Sequence, residues 1–246
     1  MSSNLTAPTI FLIAGSPITD VHAVFLCSPF CVRALNLLMP KQQAAICPTP
    51  NIIYALPSII QPLDLADLFP KLQPLEIELG SGDGSFLVAY ARQVPEHNFI
   101  GVERLLGRIR KLERKGRRAD LANLRAVRIE SAYFLRYLLP PHSAAALHIY
   151  FPDPWPKRKH RRHRLVSMDF PLIAEAALHP GGAVYLRTDD EDYFTQIKEV
   201  FGGSALFRPV PTPAALAALP TDFETGFLAR GIKTLHAAYQ TALESQ

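Results

Sequence analysis

Glu78-Leu79-Gly80-Ser81-Gly82-Asp83-Gly84 follows a short apolar run, Leu75–Leu79, and opens a helical stretch, Ser85–Gln93. Glycines at alternate positions allow a tight turn and bring a ligand close to the backbone. The helix behind them offers free N–H groups and the positive end of its dipole. Strand, glycine loop and helix in this order point to a ligand-binding α/β fold, and the spacing narrows the ligand. It is G-x-G-x-G, not the G-x-G-x-x-G of dinucleotide binders, and it lacks the G-K-[ST] ending of a P-loop. Glu78, just before the loop, would repel a phosphate but can accept from an ammonium group.

Downstream, strands and helices alternate. Asn98–Val102 is expected as a second strand, Leu105–Ala119 as a helix, and Leu124–Ile129 and Ala145–Tyr150 as strands three and four. Ser167–Leu178 reads as a helix, Gly182–Arg187 as a fifth strand after a Pro180-Gly181 turn, and Asp190–Phe201 as a helix. Residues 205–210 and Ile232–Tyr239 supply the last two strands. This alternation predicts an α/β fold with a mostly parallel sheet covered on both faces. Ligands in such sheets bind beyond the carboxyl ends of the strands, near the switch point. Two more acids fall at strand ends. Glu103 can accept both hydroxyls of a ribose, and Glu130 can meet an adenine amino group. S-adenosylmethionine has an amino-acid end, a ribose, an adenine and no phosphate, so it suits the loop and the acids together.

Residues 1–70 are rich in Pro, Ala and Ser and show no sustained periodicity. They are expected to form a largely irregular extension with a short helix around Leu63–Leu68, ahead of a domain spanning 71–246. Residues 1–50 are expected to be dispensable. No apolar run reaches the roughly 18 residues of a membrane helix; the nearest, Val21–Met39, is interrupted by His22, Pro29, Arg33 and Asn36. No positive charge precedes the first apolar stretch, as a signal peptide would require. Cys27, Cys31 and Cys47 complete no zinc-site pattern and argue against a disulfide framework. The expectation is a cytoplasmic protein that needs no metal. Net charge is only +4, yet Arg104–Arg118 holds eight Lys/Arg against Glu113 alone, and Lys157–Arg164 holds six more with two histidines. Such clustering fits a polyanionic partner.

The fourth strand runs into Tyr150-Phe151-Pro152-Asp153-Pro154-Trp155-Pro156-Lys157. Alternating prolines make this backbone stiff and non-helical. It would hold Asp153 and the chain's one tryptophan at the carboxyl edge of the sheet. Trp155 could be a core plug, but the cationic strip that follows at once suits a phosphate-binding site.

The F-P-D-P-W-x-K stretch with its basic continuation, placed after a methyltransferase-type glycine loop, resembles the bacterial tRNA (guanine-N7)-methyltransferase family. Thr188-Asp189 resembles the family's Thr-Asp after strand five, and Thr221-Asp222-Phe223-Glu224 its T-x-F-E near the C-terminus. The resemblance covers roughly residues 72–240. It implies a Rossmann-like S-adenosylmethionine-dependent methyltransferase fold, a mostly parallel seven-stranded sheet with its last strand antiparallel. It implies transfer of a methyl group to N7 of a guanine in tRNA, in the variable loop, by a monomer or homodimer with no obligate protein partner. Carried over by position, Glu78, Gly80, Gly82, Glu103, Glu130 and Asp153 would hold the cofactor, with Asp153 also catalytic. Lys157, Asp189, Thr221, Asp222, Phe223 and Glu224 would meet the substrate, with Lys159, Arg161, Arg162 and Arg164 on its backbone. Glu130 stands where the family usually has Asp, and the N-terminal arm is apolar where the family's is often basic.

Guanine N7 carries a lone pair and no proton, so its methylation needs no general base. Positioning and electrostatic stabilisation by Asp153 would supply the catalysis. The N7 edge faces a groove of A-form RNA that side chains cannot enter, so the guanine must be extruded, with Trp155 or Phe223 able to stack on it. Rival readings are a methyltransferase of rRNA or protein, a silent RNA-binding module, and a nucleotide-dependent oxidoreductase.

Overall fold

The computed structural model describes residues 51–242. Residues 1–50 of the proline-rich extension expected over residues 1–70, with Cys27, Cys31 and Cys47, lie outside the described residues.

Seven strands form one sheet: β1 (Leu75–Leu79), β2 (Asn98–Val102), β3 (Leu124–Val127), β4 (Ala144–Tyr150), β5 (Leu178–Thr188), β6 (Phe207–Pro209) and β7 (Leu235–Thr241). Their order is β3-β2-β1-β4-β5-β7-β6. Pairings from β3 through β5 are parallel, and β7, inserted between β5 and β6, runs antiparallel to both. Every residue of β1, β2 and β3 is buried, as expected for strands covered on both faces. Helices α2 (Ser85–Gln93) and α3 (Leu106–Arg118) pack on one face through Phe86, Leu87, Ile109 and Leu112. A π turn at Phe134–Leu138 and helices α5 (Phe170–Ala177) and α6 (Glu191–Gly202) cover the other through Phe134, Leu138, Phe170 and Ile197. Strand order reverses between β1 and β4, so the switch point falls where the glycine loop and the proline loop leave the sheet. Four short α-helices, α1 (Leu65–Leu68), α4 (Ser131–Tyr133), α7 (Ala214–Ala217) and α8 (Asp222–Leu228), and a 3-10 helix at Arg158–His163 complete the described chain.

Three local expectations change. Pro180-Gly181 is not a turn ahead of β5 but an irregularity within it: Ala144 pairs with Leu178, and Ala146 next with Ala183. Leu105, expected as the first residue of this helix, is the exposed N-cap of α3; Ile109, Leu112 and Gly116 are the buried residues, Gly116 closely approached by Ile52 and Leu124. The expected boundary at residue 70 falls inside the packed unit. Ile52 is fully buried against α3, its carbonyl accepts from the Ala126 amide, and the Tyr54 amide donates back to the Ala126 carbonyl. Leu63, Leu68 and Phe69 are buried on the opposite face. Residues 51–70 thus extend the edge of the sheet and cap its core. Ile52→Ala is therefore expected to lower stability by about 2–5 kcal/mol. The midpoint of urea unfolding checks it; a loss below about 0.5 kcal/mol would mean the segment is only laid on the surface.

Candidate active site

The glycine loop is held open from within. Gly80, Gly82 and Gly84 all take positive φ (80°, 56° and 76°), a region costly for any residue with a Cβ. The amides of Gly80 and Ser81 both donate to the Val102 carbonyl, at 2.9 and 3.0 Å. Gly82 N–H donates to Glu103 Oε2 at 3.1 Å, Gly84 N–H to the Ser81 carbonyl at 2.9 Å, and Ser85 N–H to Asp83 Oδ1 at 3.2 Å. These donors are consumed by the protein itself, so the loop is not the nest of free N–H groups that binds phosphate. A Cβ added at Gly80 or Gly82 would meet nothing within 4 Å; the loop faces open space.

Two cavities meet at this loop and share Gly80, Tyr150 and Phe151. The outer one, about 260 Å³, is lined by Glu103, Arg104, Leu105, Arg108, Glu130, Asp153, Trp155 and His163 among others. The inner one, about 60 Å³, is lined by Glu78, Ser81, Asp83, Ser85, Thr221, Asp222 and Phe223. Among the described residues, the buried side-chain oxygens with no hydrogen-bond partner are Glu78 Oε2 and Ser81 Oγ, both of residues that line the inner cavity. Glu78 is 4% exposed. Burial drives its pKa well above the usual carboxylate range; Arg187 opposes the rise, while Asp83 and Glu103 add to it. A buried oxygen acceptor left open is costly unless something fills it.

The proline loop hangs over the outer cavity. Phe151 and Trp155 take left-handed backbone (φ 49° and 45°), bracketing the stiff Pro152-Asp153-Pro154. Each costs about 1–3 kcal/mol, strain of the kind that clusters at functional sites. Asp153 is exposed at the cavity mouth. Trp155 is no core plug: it is 36% exposed, with its ring 5.2 Å from that of His163.

A family model described as a putative methyltransferase matches residues 72–235. A tRNA (guanine-N(7)-)-methyltransferase of Bordetella parapertussis is 36% identical over 188 residues, covering 76% of this chain and 73% of its own. The enzyme of that name from Nitrosomonas europaea is 36% identical over 191 residues, covering 74% and 81%. The chain belongs to the tRNA (guanine-N(7)-)-methyltransferase family. Among solved structures, the 16S rRNA methyltransferase KamB superposes with a TM-score of 0.52 at 15% identity, over 72% of this chain and 92% of that one, a likeness of fold.

The cavities fit the methyl donor of this family, S-adenosylmethionine. Its ammonium group would supply donors for the unpartnered oxygens of Glu78 and Ser81. Its ribose suits Glu103, whose carboxylate is already fixed by Gly82 N–H and by Leu105 N–H at 2.7 Å, with lone pairs to spare. Glu130 is similarly fixed, accepting from the amides of Ala132 and Tyr133 at 2.9 and 2.7 Å as the N-cap of α4. It lines the outer cavity from the end of β3.

Of the expected RNA contacts, Lys157, Lys159, Arg161 and Arg162 are exposed on the proline-loop side, with Arg161 paired to Asp192 at 2.8 Å. Arg164 departs from expectation. It is 3% exposed; its guanidinium donates to the Pro154 carbonyl, Gln196 and Asp192 at 2.6–2.7 Å and lies over the Tyr193 ring. Its donors are spent on clamping the proline loop to α6, so it cannot track an RNA backbone. Glu224 departs likewise. It accepts from Arg187 at 2.6 Å and His236 at 2.9 Å, and forms a capping box with Thr221. Burial works against its ionisation, but the hydrogen bonds from His236 and Thr221 N–H, with the charge of Arg187, hold its pKa down to about 2. Thr221 and Glu224 therefore build α8 rather than present free acceptors. Phe223 is 57% exposed and tilts against Phe151, Asp222 accepts from the Ser85 hydroxyl, and Asp189 is exposed after β5 without lining either cavity.

Arg187 was missed from the sequence. Buried at the end of β5, it donates to Glu224 and to the carbonyls of Leu216 and Leu219, and lies 4.4 Å over the Tyr150 ring. It ties α7 and α8 to the floor of both cavities. The signal was present: an arginine inside the apolar run Ala183-Val184-Tyr185-Leu186-Arg187 must find acceptors.

The raised pKa of Glu78 gives a test with a definite sign. A carboxyl whose folded pKa exceeds its unfolded one (about 4) has no effect at lower pH. It erodes stability as pH rises from there to the folded value. Glu78→Gln should make the free protein more stable than the parent at pH 7, with no difference near pH 3. It should weaken S-adenosylmethionine binding by about 10- to 100-fold, the worth of a charge-assisted hydrogen bond. Denaturant unfolding and calorimetric titration measure the two effects; unchanged affinity would remove Glu78 from the cofactor site.

Proposed function

We propose that this chain methylates N7 of a guanine in the variable loop of tRNA, with Asp153 as the catalytic group and the two cavities as one S-adenosylmethionine site. The family's reaction is S-adenosylmethionine-dependent methyl transfer to guanine N7 in tRNA. The observation that carries the residue assignments is the pair of unpartnered buried acceptors, Glu78 Oε2 and Ser81 Oγ, beside a glycine loop whose Gly80, Ser81, Gly82 and Gly84 amides are already used. Such a site rejects the pyrophosphate of a dinucleotide and accepts an ammonium, which disfavours a nucleotide-dependent oxidoreductase.

When bound, S-adenosylmethionine supplies an electrophilic methyl group. Glu78 and Ser81 would hold its amino-acid end, Glu103 its ribose and Glu130 its adenine. Asp153 sits at the mouth where the guanine must arrive. As the purine gains positive charge, a fixed carboxylate there stabilises it without reorganising, because strained Phe151 and Trp155 and the Arg164 clamp set its position. No group needs to remove a proton from N7. The exposed rings of Trp155 and Phe223 offer surfaces on which an extruded base can stack, and Asp189 offers an acceptor for its N1–H or amino group. Lys157, Lys159, Arg161 and Arg162 meet the flanking phosphates. No helix among the described residues is long and apolar enough to cross a membrane, and action in the cytoplasm, where tRNA is found, belongs to this proposal.

Asp153→Ala and Asp153→Asn should lower kcat on unmodified tRNA by about 100-fold or more, the scale of losing one preorganised electrostatic contact. The chain should stay folded by circular dichroism. Near-normal kcat would refute the catalytic role. Nuclease mapping of labelled tRNA should place 7-methylguanosine in the variable loop; label elsewhere would refute that position.

A further inference from the structure

We infer that the outer face of α3 is a second tRNA-binding surface, a track for backbone phosphates leading away from the reaction site. The inference rests on tRNA being the substrate. Helix α3 packs through Ile109, Leu112 and Gly116. With 3.6 residues per turn, Lys111, Arg114 and Arg118 fall in a narrow stripe directly opposite those three, with Arg110 beside it. All four are exposed, and among the described residues no acid pairs with any of them. The flanking cations are committed elsewhere. Lys115 pairs with Asp83 at 2.8 Å, Arg117 with Glu113 at 3.3 Å, and Arg108 lies 3.8 Å from Glu103. The helix therefore separates cations that serve the fold and the glycine loop from a stripe of like charges held side by side. Like charges at i, i+3 and i+4 destabilise a helix, so the stripe is an expense to the free protein that a polyanion would relieve.

The stripe is also continuous with the site. Arg104, Leu105 and Arg108, at the start of α3, line the same outer cavity as Asp153, Trp155 and His163 from the other basic segment. The two basic segments thus leave one opening from strand ends two places apart in the sheet, β2 and β4. From that rim α3 carries its charges about 20 Å along the body of the protein. An extruded guanine leaves the rest of a folded RNA resting against whatever surrounds the opening, and on the α3 side that surface is cationic.

The test uses the full chain with Lys111, Arg114 and Arg118 all changed to Ala, exposed positions whose loss spares the core. KM for tRNA should rise about tenfold or more at 0.1 M salt, while kcat and S-adenosylmethionine affinity stay at parental values. The slope of log KM against log salt should fall by about 2, three phosphate contacts at about 0.7–0.9 each. A control triple, Arg92→Ala, Lys198→Ala and Arg208→Ala, removes the same charge from other exposed sites and should leave KM and slope near the parent's. Unchanged KM and slope in the α3 triple would overturn the inference. So would an equal effect of the control triple, which would reduce the surface to net charge alone.

Discussion

The open carboxylate of Glu78 is the constraint around which the site is built. Placing it at the end of β1, inside the sheet and near Asp83 and Glu103, is unfavourable for the free protein. Much of the surrounding design limits that penalty without removing it. Arg187 lends a nearby positive charge but spends its hydrogen bonds on Glu224, Leu216 and Leu219. The loop's amides, which could have solvated Glu78, are turned to Val102, Glu103 and Ser81. What remains is an acceptor with no donor, held in a small cavity. On the proposed reading, a cationic amino-acid end would complete it.

The proline loop obeys the same logic of fixed, unfinished geometry. Left-handed backbone at Phe151 and Trp155 would relax if the loop were free. Arg164 prevents this by gripping the Pro154 carbonyl from the base of the basic strip. The strip is thus divided in function: its final arginine braces the loop, while its earlier cations face outward. A division of the same kind recurs on α3, where Lys115 braces Asp83 and the neighbouring stripe of Lys111, Arg114 and Arg118 has no acidic partner among the described residues. In both places a dense basic run combines structural and solvent-facing cations, which composition alone cannot separate.

Much of this was legible in the chain. β1, α2 and β2 match their expected bounds because a glycine loop, alternating strand and helix periods and short connections all agree there. The placement of Glu78 and Glu103 at strand ends and the stiff, non-helical course of the proline loop were legible from the strand pattern and the alternating prolines. What escaped depends on partners distant in sequence. The part played by residues 51–70 was hidden because Ile52 and Tyr54 find their places against Ala126 and α3, not through any local period. Arg164 and Glu224 looked like ligands for RNA because a charged side chain's commitment to a buried network leaves no trace in its neighbours. The reverse holds for Arg187, Glu76 and His148: polar and charged side chains inside apolar strands announce that partners must exist. Glu76 indeed bonds His97 and His148, each at 2.6 Å.

The most direct measurement is the titration of the Glu78 side chain by carbon NMR, in the free protein and with S-adenosylmethionine bound. A pKa well above the ordinary carboxylate range in the free protein, falling sharply when the cofactor binds, is the expected result. It would mean that the charged form of Glu78 is disfavoured in the free protein and is stabilised by the arriving ammonium. An ordinary pKa in the free protein, or a raised one that binding does not move, would contradict the claim that this open acceptor is what holds the cofactor.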